Sequence, residues 1–174
     1  MVAMIVTTSR LHLRAFSATD FAWLHPITAN PAVTRYTDWG PNTPADTQAF
    51  LDEASRTGSG PEEFTWAVTL PDGTGIGSAG LQVTSPRNRR ASFGYMLDPA
   101  RWGQGYASEV AQTLVATAQS LGMHRVEATC HPDNAASARV LEKAGLTLES
   151  QLRDHLLVRG AWRDSLLFAA VLAD

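Results

Sequence analysis

The sequence predicts a mixed α/β fold carried by one domain over residues 1–174, and three observations predict it. Segments of strand-like alternation and of helical periodicity follow one another as β-α-α-β-β-β-α-β-α-β-β, with hairpins first and strand–helix–strand crossovers later. Two helical stretches run out at a glycine, Gly122 and Gly145, and each leads into a further strand. A chain of 174 residues can also bury about two-thirds of its unfolded surface, so it needs no covalent staple.

The elements follow in order. Residues 7–16 alternate at Leu11, Leu13 and, after a break, Phe16, which predicts a strand. Asp20 or Thr19 then caps a short helix carrying Phe21, Trp23 and Leu24. Turn formers fill residues 36–44, and Thr43 or Asp46 starts a second helix through about Arg56, ahead of the breaker Gly58-Ser59-Gly60-Pro61. Residues 63–70, 76–84 and 91–98 read as strands joined by Pro71-Asp72-Gly73 and Ser85-Pro86-Arg87-Asn88. Val110, Leu114, Ala118 and Leu121 mark a helix before Gly122, and residues 125–130 a strand. Asp133 or Asn134 caps a helix whose Ala138, Leu141 and Ala144 share one face; strands at about 146–153 and 165–172 end the order.

Composition narrows the function. The net charge is −3 and the pI about 5.9, without the basic excess that neutralises nucleic-acid phosphates. Cys130 is the only cysteine, which points to a reducing compartment. The start Met1-Val2-Ala3-Met4-Ile5-Val6 lacks a basic region and a long apolar run, and no apolar stretch reaches the ~20 residues of a membrane span. A soluble, cytoplasmic protein without nucleic-acid or membrane partners is the expectation. The five histidines have no paired ligand spacing, so no metal is expected.

Two glycine-rich stretches compete for a phosphate. Gly75-Ile76-Gly77-Ser78-Ala79-Gly80 matches the dinucleotide pattern G-x-G-x-x-G, but Leu81-Gln82-Val83-Thr84 continues as a strand where that pattern needs a helix. It reads as a hairpin strand with close backbone approach. Arg101-Trp102-Gly103-Gln104-Gly105-Tyr106-Ala107 instead links a strand to a helix. Small residues at 103, 105 and 107 admit an anion, and the helix start offers unpaired amides and half a positive charge. The loop is either a pyrophosphate seat or a plain tight turn. It lacks Gly-Lys-Ser/Thr, which argues against metal-assisted phosphoryl transfer. Asn134 and Ser137, three residues apart at a helix start, either grip an extended ligand of amides and a thiol, as pantetheine is, or simply cap the helix.

Together, W-G-Q-G-Y-A (102–107) and N-x-x-S-x-R-V-L-E-K-A-G-L (134–146) resemble the GCN5-related N-acetyltransferases (GNAT), and most of all the Rim-type ribosomal-protein branch. The resemblance runs from about Leu11 to Leu172 and includes V-R-G-A-W-R-D-S-L-L-F (158–168). It implies a mostly antiparallel central sheet with flanking helices and two splayed parallel strands, 91–98 and 125–130, with acetyl-CoA as co-substrate between them. Pantetheine would pair with backbone near Met96 and Leu97. The pyrophosphate would sit on the amides of Trp102, Gly103, Gln104, Gly105, Tyr106 and Ala107. Asn134 would touch pantetheine, and Lys143 would approach the cofactor's phosphates. Trp102 departs from the Gln or Arg of the broad family but is usual in the Rim-type branch.

The implied reaction is direct acetyl transfer to a primary amine, a protein N-terminal α-amine or a small molecule, by a monomer or homodimer. The Leu97 amide polarises the thioester carbonyl, and Ser137 protonates the departing thiolate. No base stands out: many relatives carry a glutamate before the Gly-Tyr pair, where this chain has Ser92-Phe93-Gly94-Tyr95. Glu62, Glu63, Asp38 and His155 are candidates that read equally as solvated surface. Asp98 reads as a cap, Cys130 as a small buried residue, and Arg87, Arg89 and Arg90 as a solvated turn. Tyr36, Trp39, Phe64 and Trp66 are candidates for the acceptor wall. The alternative function is a catalytically silent acetyl-CoA-binding sensor module.

Overall fold

The computed structural model describes residues 4–57 and 62–173; the expected start Met1-Val2-Ala3 and breaker Gly58-Ser59-Gly60-Pro61 lie outside them. One eight-stranded sheet runs through the molecule. The segment expected as a single strand at 7–16 is a hairpin, β1 (Val6–Thr7) against β2 (His12–Arg14). Thr8 bends it: its amide donates to the Leu11 carbonyl at 2.9 Å and its hydroxyl accepts from the Leu11 amide at 2.9 Å. A 3-10 turn at Ala18–Asp20 leads into α1 (Phe21–Thr28), and α2 (Pro31–Thr34), unforeseen in the sequence, starts on an Asn30 cap. Thr43 and Asp46 start α3 (Pro44–Thr57) reciprocally: the Thr43 amide donates to Asp46 at 2.8 Å and the Asp46 amide to the Thr43 hydroxyl at 3.2 Å.

The middle of the chain follows expectation, with β3 (Glu63–Thr69), β4 (Gly75–Ser85) and β5 (Arg90–Leu97), then α4 (Tyr106–Ser120), β6 (Arg125–Cys130) and α5 (Ala135–Lys143). The last two strands are longer than expected. β7 (Thr147–Val158) and β8 (Ala161–Val171) meet at a tight Arg159-Gly160 turn, and the interruption read at 154–164 is a register irregularity between Leu152 and Leu156. Sheet order is β1-β2-β3-β4-β5-β6-β8-β7, antiparallel except for β5 beside β6.

Both faces of the sheet are covered. Trp66 and Val68 belong to the larger core cluster with Val110, Leu114 and Leu141 of α4 and α5. Ala67, between them, joins Leu24, Leu51 and Ala54 of α1 and α3, as the two-residue period of a strand requires. The glycines of β4 that mimic a dinucleotide motif serve this packing. A Cβ on Gly75 would stand 2.2 Å from the Trp23 ring, and one on Gly77 2.1 Å from the Met96 carbonyl oxygen. They let α1 and β5 close onto the strand.

The feature that positions the site is a wedge. β5 pairs with β6 only at Arg90↔Arg125, Ala91↔Val126 and Ser92↔Glu127. Beyond that, Phe93–Leu97 stay registered with β4, while Ala128–Cys130 stay registered with β8. Ion pairs fasten the closed end: Glu127 accepts from Arg125 at 2.6 Å and from Arg90 at 2.9 Å, and Arg125 also reaches Glu149 of β7 at 2.5 Å. Arg90, expected in a solvated turn, is therefore part of this network.

Candidate active site

Strand pleat decides which backbone groups line the wedge. The Asp98 amide donates to the Ile76 carbonyl of β4 at 2.8 Å. Alternation then turns the N–H and C=O of Leu97 and Tyr95 toward β6, and those of Met96 toward β4. Of the two expected backbone partners, Leu97 thus faces the gap and Met96 does not; the Met96 side chain packs against the α1–α3 cluster. The Trp102 indole N–H donates to the Leu97 carbonyl at 3.0 Å. That bond fixes the carbonyl and ties the glycine loop to the strand.

The loop itself has the predicted geometry. Asp98 caps the 3-10 turn Pro99–Arg101 by accepting from the Ala100 amide at 2.9 Å. Gly103 and Gly105 hold φ of +72° and +84°, a region that disfavours any side chain. Gln104 folds its amide back onto the Ala100 carbonyl at 3.0 Å. Tyr106 and Ala107 turn their side chains to the core. Among the described residues, the amides from Gly103 to Ser108 donate to no protein acceptor. That row of bare N–H groups at a helix start suits a diphosphate.

Sequence reasoning missed Arg10 here. From the β1–β2 turn its Nη1 donates to the Gln104 carbonyl at 2.9 Å, its Nε pairs with Glu109 at 2.7 Å, and its guanidinium lies 4.5 Å from the centre of the Tyr106 ring. Glu109 also accepts from the Thr8 hydroxyl at 2.5 Å. Burial works against its ionised form, but the Thr8 and Arg10 bonds outweigh it and hold the carboxyl below the usual range.

At the far side of the wedge, the Tyr95 hydroxyl lies 3.2 Å from the Ser137 hydroxyl, joining β5 to the first turn of α5. Tyr95 is the second residue missed in the sequence. Burial pushes its pKa up, against the Ser137 bond, and nearby Cys130 adds to the rise. Cys130 is buried, as expected, which raises its own pKa and keeps it a thiol. Asn134 caps the helix with its side-chain oxygen, accepting from the Ser137 amide at 3.1 Å, and its NH₂ group is left for a ligand. Lys143 is exposed at the other end of α5, where its carbonyl accepts from Gln112 at 3.1 Å. Gln112 lies six residues into α4, about 9 Å along its axis from Tyr106.

The outer wall differs from expectation. Phe64 and Trp66 are buried and stack on each other in the core, and the Trp66 indole N–H donates to the Met4 carbonyl at 2.8 Å. Tyr36 does reach the β6 end, stacked on His131 at 5.0 Å. Trp39 is partly exposed in a loop that Arg159 holds to the β7–β8 turn through the Gly40 carbonyl at 2.7 Å. Of the candidate bases, Glu62, Glu63 and Asp38 are exposed, and His155 bonds Ser165 at 2.9 Å. His131 accepts the Asp133 amide on Nδ1 at 3.1 Å, which occupies the lone pair a base would use.

Known proteins resemble this arrangement. A family model described as "Acetyltransferase (GNAT) domain" matches residues 10–147. The uncharacterized N-acetyltransferase p20 of Bacillus licheniformis is 31% identical over 167 residues, 93% of each chain. A GNAT-family acetyltransferase crystal structure from Bacillus anthracis superposes with a TM-score of 0.87 at 26% identity, over 97% of this chain and 98% of its own. A structure named as RimL, the ribosomal L7/L12 alpha-N-protein acetyltransferase, in complex with coenzyme A, superposes with a TM-score of 0.86 at 22% identity, over 97% and 98%.

Proposed function

From the premise that this chain belongs to the GNAT family of acetyltransferases and so moves an acetyl group from acetyl-CoA to an amine, we propose that its acceptor is a primary amine of α-amino type, on a protein N-terminus or a small molecule. The observation that carries the acetyl-donor half of this reading is the wedge between β5 and β6, with bare amides at one side and the Tyr95–Ser137 pair at the other. The amides of Gly103 to Ser108 hold the diphosphate of acetyl-CoA, and the NH₂ of Asn134 and the gap-facing backbone of Tyr95 and Leu97 hold its pantetheine arm. When bound, acetyl-CoA supplies an activated thioester. The Leu97 amide donates to its carbonyl oxygen as negative charge develops there. The amine nitrogen bonds the acetyl carbon as the C–S bond breaks; Ser137, hydrogen-bonded to Tyr95, gives a proton to the departing thiolate, and the proton that the amine nitrogen sheds restores the serine hydroxyl.

The acceptor class follows from the want of a placed base among the described residues. Ser92-Phe93 stands where a strand glutamate could serve as base, and His131 has its Nδ1 occupied. An α-amino group, with a reference pKa of about 7.7–8.0, supplies its neutral form far more readily than a lysine amine at about 10.4.

Two measurements test the proposal. Calorimetry should give binding of CoA to the free protein. A thiol-release assay should give turnover with short peptides bearing free N-termini or with small α-amino compounds, and markedly less with N-blocked peptides that offer only lysine. Turnover on lysine alone overturns the acceptor class, and binding without acceptor-dependent thiol release overturns the catalytic reading.

A further inference from the structure

We propose that Arg10 is a positioning residue for the acetyl donor: it aims the Gly105 amide into the diphosphate seat by holding the peptide unit from behind. The inference rests on the seat assigned above. Gln104 C=O and Gly105 N–H belong to one planar trans peptide and point in opposite directions. Arg10 Nη1 draws that carbonyl toward the β1–β2 turn at 2.9 Å. The Gly105 N–H is therefore turned away from the turn, and it bonds to no acceptor among the described residues.

Three further contacts make the hold rigid. The Arg10 Nε and backbone amide both bond the Glu109 carboxylate, at 2.7 and 3.1 Å, so the guanidinium is anchored to the first turn of the helix it serves. Its plane lies over Tyr106 at 4.5 Å. At Gly105, φ is +84° and an added Cβ would stand 3.2 Å from Arg10 Nη2, so the loop glycine and the arginine fit each other. With Glu109 paired to it, Arg10 is a neutralised strut rather than a free cation for the phosphate. A lysine would keep the charge but not the two-sided grip of the fork.

The test compares two donors. Acetyl-CoA carries the diphosphate, and S-acetylpantetheine carries the same thioester and arm without it. In Arg10→Met, KM for acetyl-CoA should rise about tenfold, the size expected for one misaimed charge-assisted bond. The kcat, the acceptor KM and the kcat/KM for S-acetylpantetheine should stay unchanged. Arg10→Lys should keep most of the defect. Equal losses on both donors would mean a general structural role and overturn the proposal, as would no loss on acetyl-CoA or full rescue by lysine. If the wild-type protein itself fails to prefer acetyl-CoA over S-acetylpantetheine, the diphosphate seat is wrong and the proposal falls with it.

Discussion

At the scale of single residues, the chemistry assigned to this site concentrates on two hydroxyls 3.2 Å apart, Tyr95 and Ser137. The serine stands at the helix start with its amide bonded to Asn134, and its hydroxyl is met by that of Tyr95. Burial keeps the tyrosine protonated well past neutrality, so it can donate to Ser137 throughout the working range. Positioned acids contribute about 10²–10⁴ in rate, so Ser137→Ala should lower kcat about a hundredfold and Tyr95→Phe about tenfold. KM for acetyl-CoA should hardly move in either. Between pH 6 and 9 the kcat profile of Tyr95→Phe should keep its shape and lose only height, because the lost group does not titrate there. A changed profile would mean that Tyr95 or its partner ionises in the working range, against the burial argument.

Among the elements, α1 depends on one carboxylate. Asp20 is almost fully buried, with its two oxygens each 2.8 Å from the Arg14 guanidinium. It also accepts from the Ser17 amide at 2.8 Å and the Trp23 indole at 2.9 Å. Burial alone would raise its pKa, but Arg14 and the other donors win and the net shift is downward. A lowered folded pKa means the stabilisation is complete above the unfolded value of about 3.9 and is lost as pH falls through the folded value. Asp20→Asn should cost about 2–4 kcal/mol in denaturant melts at pH 7, because it leaves donors unsatisfied around a partly exposed arginine. It should also flatten the acid limb of stability below about pH 4. An unchanged acid limb would assign that limb to other carboxylates. Signals of this local kind were legible in the sequence: Gly122 and Gly145 end their helices at φ of +76° and +92°, and Asn134, Thr43 and Asp98 cap as their types suggest. The β1–β2 turn was not, because a threonine side chain closing on its neighbours' backbone leaves the apolar alternation of Leu11 and Leu13 undisturbed. Arg10 and Tyr95 were hidden for a related reason. Each is an ordinary residue type whose partner lies far off in the chain, Gln104 for one and Ser137 for the other.

For the whole molecule, the decisive feature is a sheet that is paired at one end and open at the other. The Arg90–Glu127–Arg125–Glu149 network ties three strands where β5 and β6 still pair, so the strands can part above without the sheet coming apart. The wedge exposes alternate amides of β5 to any ligand that enters, and this is open to direct measurement. In the free protein, hydrogen exchange at Leu97 and Tyr95, which face the gap, should be faster than at Met96 and Asp98, which face β4. Saturating CoA should slow Leu97, Tyr95 and the bare amides of Gly103 to Ser108, and leave Met96 and Asp98 as they were. The contrast isolates the wedge from general tightening, because ligand binding that merely stabilised the fold would slow all four amides together. If Met96 rather than Leu97 gained protection, the pleat would run opposite to the register deduced from Asp98, and the amide assigned to polarise the thioester would have to be reassigned with it.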